Sequence, residues 1–107
     1  MAGNLFWDVD TQVDFVDPGG VLHVPGAEAI VPNLEALTVH ARRMGIACAG
    51  SVEHHAPGEP EISLDPEFSG TYPPHCLAGM PGEAKIVATR PANPMWIASN
   101  PVPAPAL

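Results

Sequence analysis

Two short apolar segments and the long amphipathic segment between them constrain the fold of this chain most. The first, LFWDV at 5–9, is mostly apolar and aromatic, and the second, IACAGSV at 46–52, is built of small and apolar residues. Both are typical of buried strands in a parallel sheet. Since parallel strands need a long crossover, the pattern predicts a right-handed β–α–β unit.

The segment between the strands predicts a helix over residues 27–44. Its apolar residues recur at intervals of three and four, which places them on one face. They are Ile30, Leu34, Leu37, Ala41 and Met44. Pro32 fits the first turn, where a missing N–H costs little, and Gly45 fits a left-handed cap at the end. Arg42 and Arg43 suit the C-terminal end of the helix dipole.

A third apolar segment, KIVA at 85–88, predicts a third and short strand, which gives an α/β fold with a parallel sheet. One helix cannot cover both faces of such a sheet. We therefore interpret residues 1–89 as the N-terminal part of a domain that is incomplete at its C-terminus. Residues 90–107 contain five prolines and form either the start of the missing remainder or a tail. The alternative is a small complete domain with a proline-rich tail.

Composition excludes several classes of partner. The net charge is -8, from 12 acidic and 4 basic residues, whereas a nucleic-acid partner requires a basic surface. No stretch approaches the ~20 apolar residues that a membrane span requires. Neither of the two cysteines lies in a C-x-x-C pair, so we expect reduced thiols and a cytoplasmic location. A homo-oligomer is left open.

The polar stretch at 51–76 follows the second strand and contains three of the five histidines. Ligands of open α/β sheets collect at the carboxyl ends of strands, where this stretch begins. Glu53 and His55 are two residues apart and point to one side in extended backbone, whereas His54 points away. If the loop returns His75 to them, the three residues form a ligand set for zinc, iron or manganese. The alternative is a set of solvated loop residues.

The acids after the first strand and the two cysteines carry further hypotheses. Asp10 lies at the same edge of the sheet, where a partly buried carboxylate can act as a general base. A turn or capping role is the alternative, and we favour it for Asp14 and Asp17. Cys76 is adjacent to a histidine, but neighbours in extended backbone point to opposite sides, which disfavours a nucleophile. Cys48, inside a predicted strand, is interpreted as a core residue.

The aromatic residues have two interpretations. Phe6, Trp7 and Phe15 fit the core, because they lie in or next to the first strand. Phe15 and Trp7 are also candidates for a substrate pocket. Tyr72 and Phe68 either line such a pocket or anchor the polar loop.

Four segments in order resemble the isochorismatase-like cysteine hydrolases, the superfamily that includes the nicotinamidases. FWDVDTQVDF at 6–15 resembles the opening strand with its D-x-Q-x-D-F signature, and DPGGVLHVPGA at 17–27 resembles the segment before the first helix. SVEHHAP at 51–57 resembles the metal-binding D-x-H element. YPPHCLAGMPG at 72–82 resembles the W-P-P-H-C-x-x-G-T-P-G element. The resemblance covers most of residues 4–88.

The resemblance implies a three-layer α/β/α fold and hydrolysis of a small carboxamide through a thioester. A Cys–Asp–Lys triad would carry the reaction beside a divalent metal, with Zn²⁺ expected and Mn²⁺ or Fe²⁺ as alternatives. Asp10 matches the triad aspartate, which takes the thiol proton and later passes it to water. His55 and His75 match the metal histidines, and Glu53 matches the metal aspartate.

The chain departs from the superfamily pattern at several positions. Glu53 replaces an aspartate, and Glu61 lies where some members have a further histidine. No residue matches the triad lysine or the nucleophilic cysteine, since Lys85, the only lysine, comes too early. We therefore expect this chain alone to be inactive. The alternatives are another superfamily member, acting on a different small amide or an isochorismate-type vinyl ether, or a non-catalytic metal-binding or interaction module.

Overall fold

The computed structural model describes residues 3–97, and its framework is a two-stranded parallel sheet. Strand β1 (Leu5–Val9) pairs with strand β2 (Ala47–Ser51). A short helix α1 (Val13–Val16) follows β1, and the long helix α2 (Val31–Met44) connects the two strands. The predicted β–α–β unit is therefore confirmed, with β2 shorter than the predicted strand at 46–52.

Helix α2 begins and ends as its sequence predicts. Pro32 lies in the first turn, and Gly45 adopts a left-handed conformation with φ 67°, so that its N–H reaches the carbonyls of the last turn. The predicted start at residue 27 differs from the structure, because Ala27–Ile30 forms a 3₁₀ turn before the α-helix. Such tighter turns are frequent at helix N-termini.

Other elements cover only part of the predicted apolar face of α2. Ala41 is fully buried and Leu34 is half-buried, but Ile30, Leu37 and Met44 are exposed. The helix packs against β2 and against a 3₁₀ turn at Val87–Thr89, so its covered side is rotated toward Val31, Leu34, Thr38 and Ala41. Contact with two small elements, rather than with a broad sheet, accounts for this difference.

The prediction that β1 and β2 are buried is wrong for this chain. Leu5, Trp7 and Val9 are 55%, 58% and 64% exposed, and Cys48 is exposed as well. The core interpretations of Trp7 and Cys48 are therefore wrong, while Phe6 is half-buried with its ring 6.5 Å from that of His40. A parallel sheet is buried only when both faces are covered, and the described residues supply one long helix.

The predicted third strand at 85–88 is also wrong. Lys85 makes a single antiparallel bridge with Gln12, and the chain then turns at Val87–Thr89. The buried apolar residues of the described part are Val16, Ala41 and Cys76. Most buried residues there are polar, namely Thr11, Gln12, Asp14, His55, His75, Lys85 and Thr89. Most of the buried residues in the described part therefore lie in the segments that follow the carboxyl ends of the strands or contact them.

The last described residues, 91–97, have no regular secondary structure and are exposed. The rest of the proline-rich segment, 98–107, lies outside the described residues, so its division from residues 1–89 stays a prediction. Among residues 3–97, no helix is both long and apolar enough to cross a membrane.

Candidate functional site

Backbone pairing within the polar stretch brings its two ends together. The N–H of His55 donates to the carbonyl of Cys76 at 3.0 Å, and the N–H of Ala78 donates to the carbonyl of His55 at 2.9 Å. This ladder places the rings of His55 and His75 4.8 Å apart, centroid to centroid. Two residues that are distant in sequence thus become neighbours just beyond the end of β2.

Gln12 fixes the third member of the cluster. Its side chain is fully buried and accepts from the N–H of Glu53 at 2.8 Å while donating to the carbonyl of Glu53 at 2.9 Å. The same amide donates to the carbonyl of Glu83 at 2.7 Å. Sequence reasoning assigned Gln12 no role, although a lone glutamine between two acids after a strand is a usable signal.

Glu53, His55 and His75 converge on one point. A single carboxylate oxygen of Glu53 lies 2.9 Å from the Nε2 atoms of both histidines. Both imidazoles are buried, at 7% and 2% exposure, so little solvent competes for these atoms. The structure therefore brings together the three predicted ligands.

The Nδ1 atoms of both histidines are engaged on the opposite edges of the rings. Nδ1 of His75 lies 2.7 Å from the carbonyl oxygen of Pro73, which can only accept, so Nδ1 carries the hydrogen. Nδ1 of His55 lies 2.6 Å from a carboxylate oxygen of Glu59. In the neutral rings the lone pairs then reside on Nε2, the atoms that face Glu53.

This geometry fits a divalent cation. Ligand atoms about 2.0–2.2 Å from one Zn²⁺ are separated by roughly 2.9–3.4 Å at angles of roughly 90–110°. The three ligand atoms lie within 4.8 Å of one another, with two separations of 2.9 Å. Two imidazoles and one carboxylate also leave a coordination position open. His54 lies outside the cluster, as predicted, and pairs with Glu83.

Carboxylates surround His55 on both edges of its ring. Glu61 lies 3.3 Å from its Nδ1, and Glu59 shares that edge. Burial has the largest single effect and lowers the pKa of His55. The hydrogen bonds with Glu53 and Glu59, together with the charges of Glu61 and Glu53, outweigh burial and raise the pKa above its usual value. Sequence reasoning missed Glu59, although its spacing of four residues from His55 could have indicated it.

Cys76 lacks the surroundings of a nucleophile. It is fully buried, its N–H donates to a carboxylate oxygen of Asp14 at 2.8 Å, and its Sγ lies 3.9 Å from the carbonyl oxygen of Gly82. Burial, followed by the charge of Asp14, raises the pKa of the thiol to about 12. Asp14 also accepts from the N–H of Val21 at 3.3 Å, which is the structural role that we favoured. Asp17 accepts from the N–H of Gly19 in the following turn.

Asp10 lies at the end of β1, beside the cluster. Its N–H donates to the carbonyl of Ser51 at 3.0 Å, and the Ser51 hydroxyl lies 3.5 Å from its Oδ1. Asp10 and Glu53 both line a cavity of about 380 Å³ whose other walls are mainly apolar. The predicted base and one predicted metal ligand therefore face the same space.

Of the predicted pocket residues, only Phe15 lines this cavity. Its ring lies 5.7 Å from that of His75, so it connects the cavity to the histidine cluster. Tyr72 stacks edge-on at 6.2 Å from His75 and at the same distance from Phe68, which supports an anchoring role. Trp7 lies on the uncovered side of β1 and does not line the cavity.

Comparisons with known proteins relate the fold of this chain to nicotinamidases and to isochorismatase family proteins. The chain is 35% identical over 74 residues to the nicotinamidase/pyrazinamidase of Mycobacterium tuberculosis. The pyrazinamidase of Pyrococcus horikoshii in complex with zinc superimposes with a TM-score of 0.63 at 27% identity. An isochorismatase family protein from Desulfovibrio vulgaris gives 0.66 at 28% identity. The chain has an isochorismatase-like, nicotinamidase-like fold.

The chain matches less than half of the length of each of these proteins. The matched region is 69% of this chain and 39% of the M. tuberculosis protein. The superpositions cover 82% and 85% of this chain, but 46% and 49% of the P. horikoshii and D. vulgaris chains. No family model matches the chain. Within the isochorismatase-like fold, the described residues supply a parallel sheet, its crossover helix and the Glu53/His55/His75 cluster.

Proposed function

We propose that this chain supplies the metal side and the base of a site that hydrolyses the C–N bond of a small carboxamide. The observation that carries the proposal is the shared cavity, which Asp10 and Glu53 line together at the strand ends. Similarity to a nicotinamidase/pyrazinamidase and to a zinc-bound pyrazinamidase supports the reaction class. Two cysteines without a disulfide, Cys48 and Cys76, support a cytoplasmic location.

In this proposal Glu53, His55 and His75 hold a divalent cation, with Zn²⁺ expected and Mn²⁺ or Fe²⁺ as alternatives. The bound ion would orient a ring nitrogen of the substrate or a water molecule. The protein contributes the Nε2 atoms of both histidines and the carboxylate oxygen of Glu53 that lies between them. Pro73 and Glu59 hold the two rings at their Nδ1 atoms. Zinc in the related pyrazinamidase supports this choice of metal.

Asp10 is the proposed general base, which would take the thiol proton as the nucleophile attacks the amide carbon. It is half-buried and lines a cavity with mainly apolar walls, a position from which a carboxylate can act as a general base. The nucleophile and the lysine of the triad have no match in this sequence. Cys76 is unsuited because it is buried with its pKa raised to about 12. We therefore expect the chain alone to be inactive.

The lining of the cavity favours a neutral carboxamide over an isochorismate-type substrate. Most of its walls are apolar, and no lysine or arginine lines it in the described part of the chain to pair with carboxylates of a substrate. Phe15 and the valines of the wall suit a flat apolar ring instead.

A non-catalytic metal-binding module is the second candidate. It is favoured by a specific observation, namely that all three ligands of the cluster come from this chain and are already close together. The two functions differ in whether Asp10 matters, because a metal-binding module has no use for a base.

The test is ammonia release from nicotinamide and pyrazinamide by a protein that encompasses this chain. We expect Asp10→Asn to lower kcat by about 10²–10⁴-fold, the usual contribution of a general base. Asp17→Asn is the matched control, because this exposed acid holds only its own turn. Unchanged turnover by Asp10→Asn would exclude the proposed base, and turnover by the isolated chain would contradict the expected inactivity.

A further inference from the structure

Lys85 is a buried cation that the proposed reaction does not use. Its side chain is 6% exposed, and its ammonium lies 2.5 Å from a carboxylate oxygen of Asp8. It also donates to the carbonyl of Ser51 at 2.7 Å and to the hydroxyl of Thr11 at 3.1 Å. All of these partners lie at the carboxyl ends of β1 and β2 or directly after them. A lysine is rarely buried unless it is paired in this way.

The backbone around Lys85 is fixed to the segment that follows β1. The N–H of Val13 donates to the carbonyl of Ala84 at 2.9 Å, and the N–H of Ile86 donates to the carbonyl of Thr11 at 2.9 Å. Lys85 therefore approaches the strand ends from a docked segment rather than from a free loop. Its ammonium has a defined position, because both its backbone and its hydrogen-bond partners are held.

The hydrogen-bond partners of Lys85 are neighbours of Asp10, along the chain or across the sheet. The carbonyl oxygen of Ser51 accepts both from Nζ of Lys85 and from the N–H of Asp10, at 2.7 and 3.0 Å. Thr11, another partner of Lys85, is the next residue along the chain. Asp10 itself has φ 53°, a left-handed conformation that non-glycine residues adopt only when their surroundings hold them.

Gly50 leaves the space that the carboxylate of the Asp8–Lys85 pair occupies. A Cβ at Gly50 would lie 2.6 Å from Oδ1 of Asp8 and 2.9 Å from its carbonyl oxygen, so only glycine fits opposite the carboxylate. Thr11 donates to the same Oδ1 at 3.0 Å. The carboxylate is thus held on two sides, and it balances the buried charge of the lysine.

We propose that Lys85 is a positioning residue for Asp10: through Ser51, Thr11 and Asp8 its ammonium holds the strained turn that points Asp10 into the cavity. The inference rests on the proposed function for the role of Asp10 as a base. The anchoring of the turn can be measured independently of that role.

The test is amide hydrogen exchange at Asp10 in the 107-residue chain, relative to the β1 amides that bond to β2. The variant is Asp8→Asn/Lys85→Met, which removes both charges and so leaves no unpaired buried ion. We expect exchange at Asp10 to accelerate about tenfold relative to the β1 amides, because the acceptor of its N–H loses its anchor. Arg43→Met, which removes an exposed cation, should leave the ratio unchanged.

An unchanged ratio in the double variant would overturn the proposal, as would equal acceleration at every β1 amide, which is what a merely structural role predicts. Should the double variant fail to fold, nuclear Overhauser contacts in the unmodified chain decide. Contacts from the ε-methylene of Lys85 to Thr11 and Ser51 support the anchor, and their absence overturns it. Full activity of Asp10→Asn would refute the base without altering either result.

Discussion

Gln12 offers a sharp perturbation of the proposed metal site, because it touches the backbone of a ligand but not the metal position. Gln12→Ala removes three hydrogen bonds of 2.7–2.9 Å, two to the backbone of Glu53 and one to the carbonyl of Glu83. At about 1 kcal/mol net for each bond, we expect a loss of about 3 kcal/mol in the free energy of unfolding. Since the carboxylate of Glu53 is then free to move, zinc affinity should fall on the order of tenfold or more.

Urea denaturation and calorimetric zinc titration of the same samples check both effects. Gln12→Met has a similar volume, no charge and no N–H to donate, so it separates hydrogen bonding from volume. Asn33→Ala, an exposed change on α2, is the control and should alter neither quantity. If Gln12→Ala and Gln12→Met unfold and bind zinc as the unmodified chain does, the buried amide does not organise the site.

Further predictions concern thiol chemistry and close packing. Iodoacetamide at pH 8 should modify the exposed Cys48 while leaving Cys76 intact, because only about 10⁻⁴ of a thiol with a pKa of about 12 is ionised at that pH. Mass spectrometry of peptides measures the labelling of both cysteines. Equal labelling of the two in the folded chain would contradict the burial of Cys76. Gly82→Ala should destabilise the chain by about 3 kcal/mol or more in urea denaturation, because the new Cβ would lie 2.1 Å from a carboxylate oxygen of Asp14. The control Gly58→Ala has open space and should be close to neutral, and similar melts for the two variants would refute the close approach.

Local sequence signals predicted the framework and much of the site. The β–α–β unit follows from apolar segments and helix periodicity, and Pro32 and Gly45 lie where their backbone preferences place them. Glu53 and His55 were predictable as neighbours because alternate residues of extended backbone share a side. Spacing alone left the return of His75 open, and the resemblance implied its place in the cluster.

The errors have a common physical origin, which is that burial depends on neighbours rather than on composition. Trp7 and Cys48 are residue types that are often buried, yet no other described element covers the sheet at these two positions. The KIVA segment is apolar enough for a strand, but only one bridge, between Lys85 and Gln12, forms there. A strand requires a partner of matching length, and no local pattern specifies one.

The residues that sequence reasoning missed act over long range. Gln12 bonds to Glu53 across 41 positions, and Lys85 reaches Thr11 across 74. A polar side chain that satisfies distant backbone groups has no periodic signature. The position of Gln12 between two acids marks it in the sequence, but only the folded structure shows which buried groups it satisfies.

The central claim, that Glu53, His55 and His75 form one cation site, is tested most directly by calorimetric titration of the chain with Zn²⁺. The comparison is between the unmodified chain and the His55→Ala/His75→Ala variant, with His40→Ala as a histidine control on α2. We expect one zinc site per chain, which is lost in the double variant and kept in the control. Equal zinc binding by all three proteins would contradict it.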